Sequence, residues 1–414
     1  MQIYAPPRPH AIALAALVLS MALLPAAPVS AQPGFTVSFG RAFGSIAEAG
    51  ALADTNQTTV GGVEAEQLLA AQRLRLYYEL DGGSYAAPGD WHYFLHNAGA
   101  TWKGTFGEKQ RHAFFVGGSG SVRANGSSWA GADYRALAGF SNVELRPSAS
   151  ATVRFGYRLD ARAFPDLAEM NQVQHDGFSS VLVNLPTRTT LIGEVHLGAK
   201  AYADTLVAVG PSDVAAAGVT AGAAGRMGRG MGPSLRTIPP QAPGSAVDHN
   251  HAGMVTFMAR LGQSLADRTG ATLQYYQRMT FGRVAPLVVT TPALYFDDGV
   301  YDDPFASDAR ALSASVKHHF AGGMVLEGRA SRMAKTYNSV LALGPDGAAI
   351  ATLDLREDQV WRATAEWTIP ILPSRTGPAG IDLNIGYFFT RHRSNDAFYN
   401  YTSHNVGVGV TISY

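Results

Sequence analysis

Charged residues occupy every second position of several otherwise apolar segments. In 153–162, Arg154, Arg158, Asp160 and Arg162 stand at even positions, and valine, phenylalanine, tyrosine and leucine stand at odd ones. Because successive residues of a β-strand point to opposite faces, this spacing predicts a strand with one charged face. Such strands could form the wall of a water-filled passage whose arginines attract anionic or sugar-like solutes. The same charges could also form ion pairs that fill a closed barrel, and the sequence leaves both alternatives open.

Other segments place charges of both signs opposite their apolar positions in the same way. On the lipid face of a barrel, an arginine or lysine near the midplane costs ~2–4 kcal/mol, so these charges are expected on the inner face. We also expect the basic residues of the inner face to outnumber the acidic ones. The predicted pore-lining residues are Arg154, Arg158, Asp160, Arg162, Glu194, Lys200, Arg260, Arg278, Lys317, Glu327, Arg329, Arg362 and Glu366.

A histidine and a serine stand two residues apart near the end of the second-last amphipathic segment. The stretch from His392 to Asn395 reads H-R-S-N and resembles the H-x-S-N signature of outer-membrane phospholipase A and lipid A deacylases. In those families the two side chains form a nucleophile–base pair that faces the outer leaflet. Here Asp396 follows, where the phospholipase pattern has glycine. The apolar odd positions upstream predict that His392 faces the lumen or the loop, and no catalytic residue is predicted.

An acidic loop contains Asp297, Asp298, Asp302 and Asp303. Clustered carboxylates can hold calcium, but this spacing matches no EF-hand, and we favour a solvated acidic loop. The sequence contains no convincing zinc framework or phosphate-binding loop, so neither a metal site nor a cofactor is predicted. Lys+Arg and Asp+Glu both number 32, so the whole chain offers no polyanion-binding surface and no nucleic-acid partner is expected.

The closing segment shows the alternation most clearly. From Val406 to Tyr414 the sequence reads V-G-V-G-V-T-I-S-Y, which places the valines and isoleucine on one face and small residues on the other. An aromatic residue at the end of the closing strand is typical of a transmembrane barrel, whose aromatic side chains lie at the membrane interface. The alternative is the last strand of a soluble sandwich.

Amphipathic segments of this kind recur along the chain. We count about 16, each roughly 9–14 residues long, as expected for an all-β, antiparallel up-and-down barrel of the bacterial outer membrane. One of them carries Tyr134, Ala136, Ala138 and Phe140 at alternate positions, and this apolar stripe is predicted to face the lipid.

The connections alternate between short and long, the asymmetry that distinguishes periplasmic turns from extracellular loops. The longest connection includes residues 204–250, which are rich in glycine, alanine and proline. Because this composition buries little apolar area, we predict a mobile extracellular loop, with a folded plug inside the lumen as the alternative.

The amino terminus predicts export. A weakly basic start is followed by the apolar run 11–24 and by small residues that end at Ala31. The run is shorter than the ~20 residues that a spanning helix needs. We therefore predict a signal peptide over 1–31 and a barrel over 32–414. The chain has no cysteine, so a closed hydrogen-bonded barrel is expected to stabilise it without disulfides.

As a whole, 32–414 resembles porin-like outer-membrane β-barrels of Gram-negative bacteria. The stretch from Arg393 to Tyr414 also resembles the final hairpin of the barrel domain in surface lipoprotein assembly modifiers. Those proteins usually carry a periplasmic helical-repeat domain, for which the early start of the strands leaves no room. The resemblance implies insertion by the outer-membrane assembly machinery, which reads the closing strand at Val410, Ile412 and Tyr414.

These observations predict a porin-like channel in the outer membrane that passes small polar or anionic solutes, contacts outer-membrane lipid and has no enzymatic activity. A secretion or assembly barrel for a polysaccharide or a surface lipoprotein is the alternative. A lipid-modifying enzyme that uses His392 and Ser394 is a third hypothesis.

Overall fold

The computed structural model describes thirteen stretches of the chain. The predicted signal peptide, the loop 204–250, the acidic loop 297–303 and Tyr414 lie outside the described residues. Those residues are 33–47, 55–69, 73–85, 92–126, 133–166, 168, 171–202, 251–282, 304–342, 344, 350, 354–372 and 380–413.

Sixteen β-strands occupy most of the described residues, as the amphipathic segments predict. Among the described residues, 3₁₀ turns in the connections include Glu108–Gln110, Pro304–Ala306 and Ala397–Tyr399. The strands are β1 Pro33–Ala47, β2 Thr55–Leu69, β3 Leu74–Tyr85, β4 His92–Phe106, β5 His112–Asn125, β6 Tyr134–Leu145, β7 Ala151–Ala163, β8 Gln172–Leu185, β9 Thr189–Tyr202, β10 His251–Ala266, β11 Thr269–Gly282, β12 Ser307–His319, β13 Val325–Leu341, β14 Leu355–Leu372, β15 Gly380–Ser394 and β16 Tyr401–Ser413.

Each strand pairs antiparallel with its neighbours in sequence, and β1 pairs with β16 to close the barrel. The closing register runs from Thr36 opposite Ser413 to Ala47 opposite Thr402. Closure leaves no sheet edge, so the strand backbones find their hydrogen-bond partners within the barrel. A sheet that crosses a bilayer must meet this condition, because hydrocarbon offers no hydrogen bonds.

The two ends of the barrel differ. At one end, here called the turn end, the start of β1 lies beside the end of β16. The strand connections at this end are short, such as the turn between Ala266 and Thr269. At the other end, the loop end, the strands are separated by longer segments, such as the one between Tyr202 and His251. In outer-membrane barrels short turns face the periplasm and long loops face outwards, so we assign the loop end to the cell exterior.

The outer face of the barrel is apolar. Large apolar side chains on it are widely exposed, including Leu137 at 70%, Leu197 at 61% and Phe257 at 42%. In β16, Val406 and Val408 are each 44% exposed and alternate with glycine, as the sequence predicts. Such a continuous apolar surface is stable only in lipid, and the protein is therefore an outer-membrane β-barrel. Among the described residues, no helix has the length and apolar character needed to cross a membrane.

The predicted orientation of β6 is wrong. Its exposed apolar residues are Leu137 and Val143, so its odd positions face the lipid. The predicted stripe therefore lies on the inner face; it consists of Tyr134, Ala136, Ala138 and Phe140. The register agrees, because Ala138 and Phe140 lie opposite the inward-pointing Asp160 and Arg158 of β7. Tyr134 is buried, and the Arg162 guanidinium lies 4.5 Å from the centre of its ring. Apolar residues that pack under inward-pointing arginines produce this apolar stripe on the inner face.

Two adjacent residues in the middle of β8 test the assignment of faces. Val181 is 43% exposed on the lipid face, and Ser180 points into the lumen between Arg154 and Glu194. We expect Val181→Arg to lower the free energy of unfolding in vesicles by about 2–4 kcal/mol, because the guanidinium must enter hydrocarbon. Ser180→Arg, the matched control, is expected to change it by less than about 1 kcal/mol. Urea titrations followed by tryptophan fluorescence measure both, and equal losses would contradict the assignment.

Candidate functional site: the lumen

The strand register places every predicted pore-lining residue on the inner face, opposite the apolar residues that face lipid. On β7, for example, Phe155 and Leu159 are exposed outwards while Arg154 and Arg158 point inwards. That these residues line a conducting pore stays a prediction. Their contacts divide them into a hydrated set along the wall and a covered set near the loop end.

Near the turn end, Glu144 binds two arginines. Its Oε2 accepts a hydrogen bond from Arg154 Nε at 2.8 Å, and its Oε1 accepts one from Arg146 Nε at 2.8 Å. The carboxylate is buried, with 5% of its side chain exposed, whereas the Arg154 side chain is 52% exposed. Glu144 was not predicted, because the wrong face assignment of β6 concealed it.

Further along the wall, β7, β8 and β9 contribute alternating charges. Arg158 forms a bidentate pair with Asp160 at 2.7 and 2.8 Å. The His196 ring lies between two carboxylates, with Nδ1 2.9 Å from Asp176 and Nε2 2.6 Å from Glu194. The missed residue Asp176 could have been found from the alternation of β8, since the valines at its odd positions place Asp176 on the inner face.

A concavity of about 340 Å³ opens on this wall. Guanidinium and carboxamide groups stand beside carboxylates around it, so it presents donors and acceptors to a small polar solute. Its lining residues are Ala136, Arg158, Asp160, Ala161, Arg162, Gln172, Gln174 and Asp176.

Strands β10 to β13 continue the pattern. Glu327 accepts a hydrogen bond from Arg329 Nη2 at 3.0 Å and lies 3.5 Å from Lys317 Nζ. Arg260 donates to Gln274 Oε1 at 2.9 Å. The Arg158, Arg329 and Lys317 side chains remain 59%, 61% and 50% exposed although they point into the barrel. Side chains inside a filled barrel are packed against one another, so such exposure indicates open space along the wall.

The loop end of the lumen is different, because a buried ionic network spans β14 and β15 there. Asp358 contacts the Arg356 guanidinium and lies 3.0 Å from His392 Nε2, and its carboxylate is fully buried. Tyr337 Oη donates to the same carboxylate at 3.3 Å. The Arg356 guanidinium lies 3.2 Å from the centre of the Tyr399 ring, which the Ala397–Tyr399 turn brings inwards.

Two predicted pore-lining residues belong to this covered region. Arg278 is 9% exposed and donates to the carbonyl oxygen of Ser307 at 2.9 Å and to its hydroxyl at 2.7 Å. Lys200 is 3% exposed, with Nζ 5.7 Å from the centre of the Phe305 ring. The Pro304–Ala306 turn covers both, so they stabilise the mouth of the barrel instead of contacting lumen water.

An apolar cluster completes this covering. Phe305 is fully buried and packs with Ala252, Met254, Ala306 and Tyr337. The loop end is therefore filled along β9 to β15, where these residues and the ionic network lie. Tyr134 and Phe164 are also buried at the loop end of β6 and β7.

His392 faces inwards, as its position in the alternation predicts, and it is 8% exposed. The nearby Ser394 Oγ accepts a hydrogen bond from the Asp396 backbone at 2.9 Å. The histidine is thus part of the buried network and does not face the outer leaflet as the resemblance to the lipid hydrolases would require. Within the described stretches, no group of three histidine, aspartate or glutamate side chains is placed to hold a metal ion.

No protein-family model and no curated protein matches the sequence. Solved structures do match across nearly the whole chain. OpdL of Pseudomonas aeruginosa has 10% identity and a TM-score of 0.44, and 93% of this chain and 99% of that chain are covered. A bacterial polysaccharide outer membrane secretin has 9% identity and a TM-score of 0.47, with 92% and 97% covered. OccK7 of P. aeruginosa has 11% identity and a TM-score of 0.46, with 93% and 99% covered. Likeness at this level says nothing about function.

The contrast between buried and exposed ion pairs yields a stability prediction. Asp358→Asn removes the charge that faces Arg356 and His392 in the buried network, and we expect a loss of about 3–5 kcal/mol in the free energy of unfolding. Asp160→Asn is the control, because its partner Arg158 is 59% exposed and water screens the pair. The control is expected to cost about 0.2–1 kcal/mol. Denaturant titration of both variants checks this, and a control loss as large as that of Asp358→Asn would contradict the assigned burial.

Proposed function

We propose that the protein is a passive outer-membrane channel for small polar or anionic solutes. The observation that carries the proposal is the high exposure of inward-pointing charges in a closed barrel. Arg154, Arg158 and Arg329 are each more than half exposed although the surrounding sheet has no edge. A barrel of sixteen strands encloses enough width for such a passage.

The preference for anions comes from the wall formed by β7. Arg154, Arg158 and Arg162 repeat along its inner face, and their guanidinium groups attract anions in a narrow aqueous space. The carboxylates of Glu144 and Asp160 balance part of this charge at short distance. We therefore expect moderate anion selectivity that does not exclude neutral solutes.

The filled side of the mouth sets the path of the solute. Because the Arg356–Asp358 network and the cluster around Phe305 fill the loop end along β9 to β15, a solute follows the exposed arginines of β7. That path leads over the concavity beside Arg158 and Gln174, whose polar groups can replace water around the solute.

Single-channel recording of the refolded barrel in a planar bilayer tests the proposal. We expect discrete open steps and, in a potassium chloride gradient, a reversal potential that favours chloride. Replacing Arg154, Arg158 and Arg162 together by glutamine is expected to lower the chloride-to-potassium permeability ratio by about ten-fold, since three cations leave the wall.

Arg135→Gln is the matched control. It removes the same charge from the neighbouring strand β6, but Arg135 lies on the lipid face, opposite the exposed Val122. The control should keep the wild-type selectivity. A folded barrel that gives no open steps would contradict the channel and favour the secretion or assembly alternative. A triple variant with unchanged selectivity would contradict the role of the β7 arginines.

A further inference from the structure

Four arginines lie together on the outer face of the barrel, where the surrounding residues are apolar. They are Arg310 on β12, Arg332 on β13, and Arg391 and Arg393 on β15. Strand alternation directs all four towards lipid, and all four side chains are exposed. Here they are called the outer arginine cluster. None of them takes part in the lumen contacts described above.

The register places the cluster in two adjacent rows. In the first row Arg332 lies opposite Trp361, which in turn lies opposite Arg391. In the second row, nearer the loop end, Arg310 lies opposite Ala334 on one side and Arg393 lies opposite Gln359 on the other. With strands about 4.8 Å apart and alternate residues about 6.6 Å apart, the four Cα atoms fall within roughly 16 Å.

Trp361 holds two of the guanidinium groups in place. The Arg332 guanidinium lies 5.4 Å from the centre of its ring, and that of Arg393 lies 5.8 Å from it. Arg332 also donates a hydrogen bond to Gln359 Oε1 at 3.4 Å. These contacts orient the guanidinium groups, and neither partner carries a negative charge.

Within the described residues, no carboxylate forms an ion pair with any member of the outer arginine cluster. The acidic residues of this face, Asp308 and Glu357, lie in the next row towards the loop end, opposite Thr336. Asp308 accepts hydrogen bonds from the backbone and hydroxyl of Thr280 at 2.7 and 2.8 Å. The luminal arginines Arg154 and Arg158, in contrast, each bind a carboxylate.

The cluster lies between the polar row of Asp308, Thr336 and Glu357 and the apolar outer surface nearer the turn end. Leu312, directly opposite Arg332, is 53% exposed, and Val316, Trp367 and Tyr387 continue the apolar surface towards the turn end. Arginine side chains at such a boundary extend towards the depth of the lipid headgroups. With the loop end outside the cell, the groups they meet belong to the outer leaflet.

We propose that the outer arginine cluster is a binding site for the phosphate groups of an anionic lipid of the outer leaflet. Phosphate is the matching ligand because the guanidinium fork donates two parallel hydrogen bonds to two of its oxygens. The lipid's acyl chains then lie against the apolar surface around Leu312 and Val316. The site is separate from the solute path, because the barrel wall lies between them.

Native mass spectrometry of the detergent-solubilised, folded barrel tests the proposal with three probes. They are dioctanoyl phosphatidic acid, dioctanoyl phosphatidylcholine and inorganic phosphate. We expect the phosphatidic acid to bind about ten-fold more tightly than either other probe, since it combines an exposed phosphomonoester with acyl chains. The triple variant R332Q/R391Q/R393Q is expected to lose this preference.

Two further variants complete the design. Arg135→Gln removes an isolated lipid-facing arginine from β6 and should leave the preference unchanged. The variant R332K/R391K/R393K keeps the charge but lacks the guanidinium fork, and it should bind with intermediate affinity. The heat-dependent shift of barrels in gel electrophoresis verifies folding, and the single variants Arg391→Gln and Arg393→Gln replace the triple variant if it does not fold.

The proposal is overturned if the glutamine variants keep the wild-type preference, or if phosphatidylcholine binds as tightly as phosphatidic acid. Equal affinity for inorganic phosphate would show an anion site without a lipid component and would also overturn it. An equal loss in Arg135→Gln would mean that net charge, and not the cluster, governs binding.

Discussion

The rest of the structure depends on one constraint: backbone hydrogen bonds must be satisfied inside a medium that offers none. The pairing of β1 with β16 meets it by removing both edges of the sheet. Closure then fixes which face each residue takes, since alternate side chains point to lipid and to lumen. Large apolar residues such as Leu197 occupy the outer face, and charged residues such as Arg158 occupy the inner one.

Inside the barrel, hydration decides how the charges are arranged. On β7, Arg154 and Arg158 bind carboxylates but stay more than half exposed, so water screens these pairs and each contributes little on its own. At the loop end the Asp358 carboxylate is fully buried and is held by Arg356, His392 and Tyr337 together. Burial makes that network costly to disrupt, and it gives the loop end along β14 and β15 a fixed shape.

The alternation in β16 predicts the fold because large residues such as Val406 face lipid while glycine, threonine and serine face the lumen. The orientation of β6 could not be predicted from its alternation, because Tyr134 lies under the Arg162 guanidinium and places an apolar ring on the inner face. The buried network at the loop end could not be predicted from the sequence either. Asp358 and His392 are brought together only by the register of β14 and β15, which sequence spacing does not specify.

The proposed channel requires that water fills the lumen along β6 and β7. The chain has no native cysteine, so single cysteines can be placed at Ala138, opposite Asp160 in the lumen, and at Leu137, 70% exposed to lipid. Labelling of the membrane-inserted barrel with a charged, membrane-impermeant thiol reagent compares the two sites. We expect rapid reaction at Ala138→Cys and little at Leu137→Cys. An unreactive cysteine at 138 would show a filled lumen, and faster reaction at 137 would mean that the faces of β6 are reversed.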